Sequence, residues 1–174
     1  MLVKKLKQLK TLSHGRWYWS SVLASAVFLI AVALVYQHVL DERPCLLCIQ
    51  IRLWVSLLIV VSFIGLLIRH NQLMNSVAHT SVVLIAIGLV ERCYQLLGTE
   101  RGFVDGDCGF DLGMPTWFAI EQWLPSVYYV HAACGYTPEI IFGITMAETL
   151  MVYSVGLLLV SFFVMLASFL KSSK

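Results

Sequence analysis

Two cysteines stand in Pro44-Cys45-Leu46-Leu47-Cys48 at the mouth of an apolar stretch, and Arg52 follows one helical turn after the second. Cys108 and Cys134 form another pair within the one long polar loop. Cysteine pairs at this kind of site suit thiol–disulfide exchange, in which a thiolate attacks one sulfur and displaces the other. With one pair at a bilayer edge and one in a loop, the pattern suggests electrons handed from a soluble protein to an acceptor dissolved in the membrane.

The bland readings of these residues are weaker. A disulfide between Cys45 and Cys48 closes almost no loop and stabilises little. A structural zinc site wants four ligands; His38 and His131 lie near the cysteines in sequence, but without tight ligand spacing. A helix N-terminus and a nearby arginine both favour a thiolate at Cys48. Arg52 projects from the same helical face as Cys48, about 6 Å further along the axis. A charge within a span costs roughly 2.5–3.5 kcal/mol at mid-membrane. Snorkelling to the headgroups is one remedy; neutralising a thiolate and a reduced acceptor is the sharper one. A bridge from Cys108 to Cys134 would contribute ~3.5 kcal/mol as a staple. The flanking Gly106, Gly109, Gly113 and Gly135 instead suit a mobile disulfide poised for exchange. Cys93, left over in an apolar stretch, reads as a small buried hydrophobe.

The elements that must position these groups are membrane helices. The chain is 59% hydrophobic and 13% charged, against about 25% charged in a soluble domain. Four apolar stretches reach the ~20 residues a spanning helix needs: about 17–36, 48–68, 76–97 and 146–170. The alternation of a barrel is absent, so the expected fold is an all-α bundle of four transmembrane helices, one integral membrane domain over 1–174. The outer loops are about 37–47 and 98–145. The first apolar run is longer than the ~7–15 residues of a secretory signal and continues past Ala24-Ser25-Ala26, which predicts a retained span. Inside the second loop, 116–124 predicts a short helix lying along the membrane surface, with Trp117, Ile120, Trp123 and Leu124 on one side, Pro115 at its start and Pro125 as its stop.

Charge sets the expected orientation. The N-terminal tail, the turn at Arg69 and the C-terminus carry eight Lys/Arg and no Asp/Glu; the two other loops carry two Lys/Arg and eight Asp/Glu. Both termini are therefore expected in the cytoplasm and both cysteine pairs outside it, in an oxidising compartment. No basic stripe of the kind that binds nucleic acid is present.

Taken together, Gln37-His38-Val39, the Pro44–Cys48 motif, Arg52, Cys108 and Cys134 at their spacing, the stretch 117–125 and Met146 at the start of the fourth span resemble the DsbB family of bacterial inner-membrane thiol:quinone oxidoreductases, over nearly the whole chain. The resemblance implies that Cys108 accepts the thiolate of a reduced periplasmic thioredoxin-like oxidase of the DsbA type, that Cys134 leaves, and that the resulting dithiol reduces Cys45–Cys48. It further implies that Cys48 lies against ubiquinone or menaquinone, with Arg52 on a quinone oxygen and Met146 lining the pocket. Gln95 is the expected contact from the third span. A vitamin K epoxide reductase-like enzyme is the rival, although its active-site pair comes late in the chain and Cys45–Cys48 comes early. A membrane scaffold with structural disulfides is the rival from another class; it needs no arginine beside the cysteines and binds no quinone.

Overall fold

The computed structural model describes residues 16–104, 109, 119–132, 134–135, 137–141 and 143–172. Four of its helices are long and apolar enough to cross a membrane, as expected for an all-α bundle: α1 (Arg16–His38), α2 (Leu46–Ile68), α3 (Gln72–Arg101) and the last helix, Met146–Ser172. Between α3 and that last helix lie two single turns, α4 (Ile120–Trp123) and α5 (Pro125–Tyr128), and a two-stranded antiparallel hairpin of β1 (Glu139–Ile141) and β2 (Ile144–Thr145). The last helix is α6.

Local signals explain where the helices stop and start. Cys45 caps α2: its backbone is extended and its sulfur accepts from the Cys48 N–H at 3.4 Å. Asn71 caps α3 in the ordinary way, accepting from the Leu73 N–H at 3.2 Å. The third span runs past the expected boundary near residue 97. Gly98 does not break it, because the space a β-carbon would need is filled by Val104 and Phe103. The helix ends at Gly102, whose φ of 74° is the left-handed C-terminal stop that glycine supplies. Glu100 and Arg101 are thus helical rather than part of the outer loop.

The bundle packs in sequence order, α1 on α2, α2 on α3 and α3 on α6. Between helices already surrounded by lipid, close fit rather than hydrophobicity drives association. Gly65 of α2 receives the Trp19 ring and Gly88 of α3 receives Trp54. Trp19 is fully buried, stacks on His79 with ring centres 4.8 Å apart, and donates to Asn75 Oδ1 at 3.3 Å. Ser76 and Ser168 tie α3 to α6 through a hydroxyl pair at 3.2 Å. Phe28, Phe63, Leu84 and Val152 are exposed on the outside of the bundle, as suits lipid.

The surface segment differs in detail from the expectation. Pro115 and Trp117 lie outside the described residues. The helix at Ile120–Trp123 is a single turn. Pro125 opens a second turn instead of ending the first, because its fixed φ and missing N–H suit the first helical position. Trp123 and Leu124 are exposed.

Candidate active site

At the start of α2, the Cys45 sulfur lies 2.9 Å from that of Cys48, both as thiols. The spacing follows from the cap, since the first turn of a helix brings residue 48 back over residue 45. Cys45 is nearly sealed, at 2% exposure. A segment from the second loop covers it: the His131 and Ala132 N–H groups both donate to the Pro44 carbonyl, at 3.0 and 3.3 Å, and Ala132 bridges Cys45. Two residues on, the Cys134 thiol hydrogen-bonds Cys45. Residues 89 apart in sequence are therefore in contact.

This crowding sets the protonation of Cys45, which sits just before the span. The Cys134 hydrogen bond favours the thiolate, but the hydrogen bond with Cys48, burial and the charge of Cys48 outweigh it and push the thiol up to about 12. A sulfur held that high is a poor leaving group.

Arg52 is buried, at 7% exposure. Its Nη1 donates to Gln37 Oε1 and to the Val127 carbonyl at 2.9 Å, and its Nη2 to the Ala33 carbonyl at 3.1 Å. These partners lie on α1 and at α5, so the side chain is held inside the bundle rather than reaching for headgroups. Of the five N–H groups of a guanidinium, the described contacts leave one on Nη2 and the one on Nε. Gln37 also donates to the Ser126 carbonyl at 3.1 Å, and Tyr128 shares a 2.6 Å hydroxyl pair with Ser56, which bonds back to the Arg52 carbonyl. The surface turns are thereby fastened to α1 and α2 beside the arginine.

Cys48 and Arg52 both line one cavity. Leu29, Ile30, Ala33, Ile51, Leu96 and Leu150 give it apolar walls, and Met146 also lines it. Gln95 does not. Its carbonyl accepts from Arg92 at 3.1 Å and its amide donates to Glu91 at 3.2 Å, with Gln50 on the same arginine; α3 presents Leu96 to the cavity instead. Cys93 is fully buried in the core. Cys108 lies outside the described residues. Sequence reasoning overlooked Gln37, Thr137 and Pro138 as lining residues. Only Gln37 carried a signal, as a polar residue directly after an apolar run. Apolar walls with Arg52 and Gln37 among the lining residues match the chemistry of a quinone, whose ring needs apolar contact and whose oxygens need donors.

Comparison with known proteins agrees with this arrangement. Residues 15–164 match the family described as Disulfide bond formation protein DsbB. The chain is 30% identical over 174 residues to disulfide bond formation protein B of Shewanella frigidimarina, covering 97% of this chain and 100% of that one. It is 29% identical over 135 residues to disulfide bond formation protein B 2 of Pseudomonas aeruginosa, covering 76% and 80%. A Shewanella species (strain ANA-3) supplies a third relative, 31% identical over 159 residues, covering 84% and 87%. Since the match takes in all four spans and both loops that bear cysteines, the chain belongs to the DsbB family, multi-pass membrane oxidoreductases that form disulfide bonds.

Proposed function

We propose that this protein reoxidises a soluble periplasmic thioredoxin-fold oxidase of the DsbA type and delivers the electrons to ubiquinone or menaquinone in a bacterial inner membrane. The observation that carries the reading is the placement of Cys45: its sulfur touches Cys134 on the loop side and Cys48 on the cavity side. The acidic loops, opposite the basic termini, support a periplasmic face for these cysteines.

The sulfur chemistry balances at each step. A thiolate of the partner attacks Cys108; the partner–Cys108 bond forms, the Cys108–Cys134 bond breaks, and Cys134 leaves as a thiolate. The partner's second thiolate attacks its own sulfur in that mixed disulfide and releases Cys108. Cys134 attacks Cys45, the Cys134–Cys45 bond forms, and Cys48 leaves with its negative charge near Arg52. Cys108 then attacks Cys134, restoring the first disulfide and freeing Cys45. A bound quinone would accept the two electrons and two protons whose loss returns Cys45 and Cys48 to a disulfide. Arg52 and Gln37 would hold its oxygens, and the apolar walls exclude water from its ring.

The test is turnover of purified protein with a reduced thioredoxin-fold oxidase and a soluble quinone. Partner thiols and quinone absorbance should fall together, and Cys48→Ser should stop both. With the partner's single cysteine activated by thionitrobenzoate, Cys134→Ser should collect an adduct on Cys108. Loss of partner thiols without quinone reduction would remove the quinone from the scheme, and an adduct formed mainly by Cys134 in Cys108→Ser would reverse the roles in that pair.

A further inference from the structure

The end of α3 carries a carboxylate that the relay above does not use. Glu100 Oε2 accepts hydrogen bonds from the Thr137 hydroxyl at 2.7 Å and the Thr145 hydroxyl at 3.3 Å. Thr137 is buried, at 4% exposure. Thr145 pairs with Glu139 across the hairpin, and its N–H donates to Glu148 Oε2 at 3.2 Å. Glu148 in turn pairs with Arg101, the neighbour of Glu100 on α3. The Met146 N–H donates to the Pro138 carbonyl at 3.0 Å. One carboxylate thus gathers the end of α3, the chain just beyond Cys134 and the strand leading into α6.

Cys134 lies on a short segment with an anchor at each side. Upstream, His131 and Ala132 hang on the Pro44 carbonyl. Downstream, Thr137 hangs on Glu100. Gly135 between them has a φ of 122°, which a residue with a side chain rarely adopts. A backbone free to swivel at Gly135 needs a fixed point soon after it if the sulfur is to stay on Cys45. Removing that point lengthens the free segment and lowers the local concentration of one sulfur at the other.

We propose that Glu100 is a positioning residue for disulfide exchange, holding Thr137 and Thr145 so that Cys134 stays against Cys45. The inference rests on the relay reading above, and the test separates the two. In a Cys48→Ser, Cys93→Ala, Cys108→Ser background, Cys45 and Cys134 are the pair left to close. Diamide oxidises their two thiols to a disulfide and is itself reduced to the hydrazine. The rate is read by maleimide-polyethylene glycol gel shift of the thiols that remain.

The parent background should close readily. Glu100→Ala should close about tenfold more slowly, as loss of a hydrogen bond to a charged group predicts. Glu100→Gln, which keeps an acceptor oxygen, should recover most of the rate. Thr137→Val should slow closure as well, and the double variant should be no slower than the worse single one, because both changes break one contact. A general loss of fold gives no rescue by Gln and no such non-additivity. Should Glu100→Ala fail to fold, Thr137→Val decides alone. Parent-like rates in both variants would overturn the role of Glu100 while leaving the relay intact; a parent that does not close at all would overturn the relay, and this inference with it.

Discussion

Three oxygens hold Arg52 before any ligand reaches it. The Gln37 side chain and the carbonyls of Ala33 and Val127 fix the plane of the guanidinium, and Arg52 lines the cavity in that fixed orientation. Pre-organisation of this kind lowers the ordering cost of binding. Arg52→Met removes the charge and all the donors. It should weaken apparent quinone affinity by ~1.5–3 kcal/mol, or roughly ten- to more than a hundredfold. Lys restores the charge without the planar fork, so it should recover only part. Exchange between the soluble partner and Cys108–Cys134 should survive. Turnover across a range of quinone concentrations, together with the thermal shift quinone gives the purified protein, checks the expectation; unchanged values for both would leave Arg52 with only a structural duty.

Among the helices, the tightest fit is at Gly65. A β-carbon there would lie 2.5–2.6 Å from Trp19 ring atoms, and Trp19 is pinned by Asn75 and His79. Gly65→Val should therefore destabilise the α1–α2 contact by about 1–3 kcal/mol, the usual cost of overpacking. Loss of helical circular dichroism during titration with dodecyl sulfate measures it, and an unmoved midpoint would mean that Trp19 yields without cost. The spans themselves were legible in the sequence, because twenty apolar residues have few other fates. The extra turn of α3 was not, since Gly98-Thr99-Glu100-Arg101 has the composition of a loop and declares itself helical only through its packing and the stop at Gly102. The site divides similarly. Cys45, Cys48 and Arg52 share one helical face and can be read from spacing. The carbonyls of Ala33 and Val127 leave no trace in side-chain type, and the Cys134–Cys45 contact depends on a loop path that no local pattern encodes.

At the level of the whole molecule, the described thiols Cys45, Cys48 and Cys134 sit at one end of the bundle, where α1 ends at His38 and α2 begins at Leu46. In the proposed orientation, which follows the charge asymmetry, that end faces the periplasm. Reporters fused after Lys174 or within the turn at residues 69–71 should be cytoplasmic, and one inserted just after Val104 should be outside. A periplasmic C-terminus would place every described thiol of the site on the reducing side and end the proposed scheme.

The near-complete enclosure of Cys45 has a consequence for the economy of the cell. On the proposed periplasmic face, small thiols and oxidants would react with any sulfur they can touch. At 2% exposure, Cys45 offers them almost no surface, and reactivity at sulfur depends on access as well as ionisation. The loop segment that supplies Cys134 is also the lid that excludes those solutes. In the proposed relay, wire and insulation are one piece of chain, so loosening the segment would slow the intended current and open a short circuit at the same time.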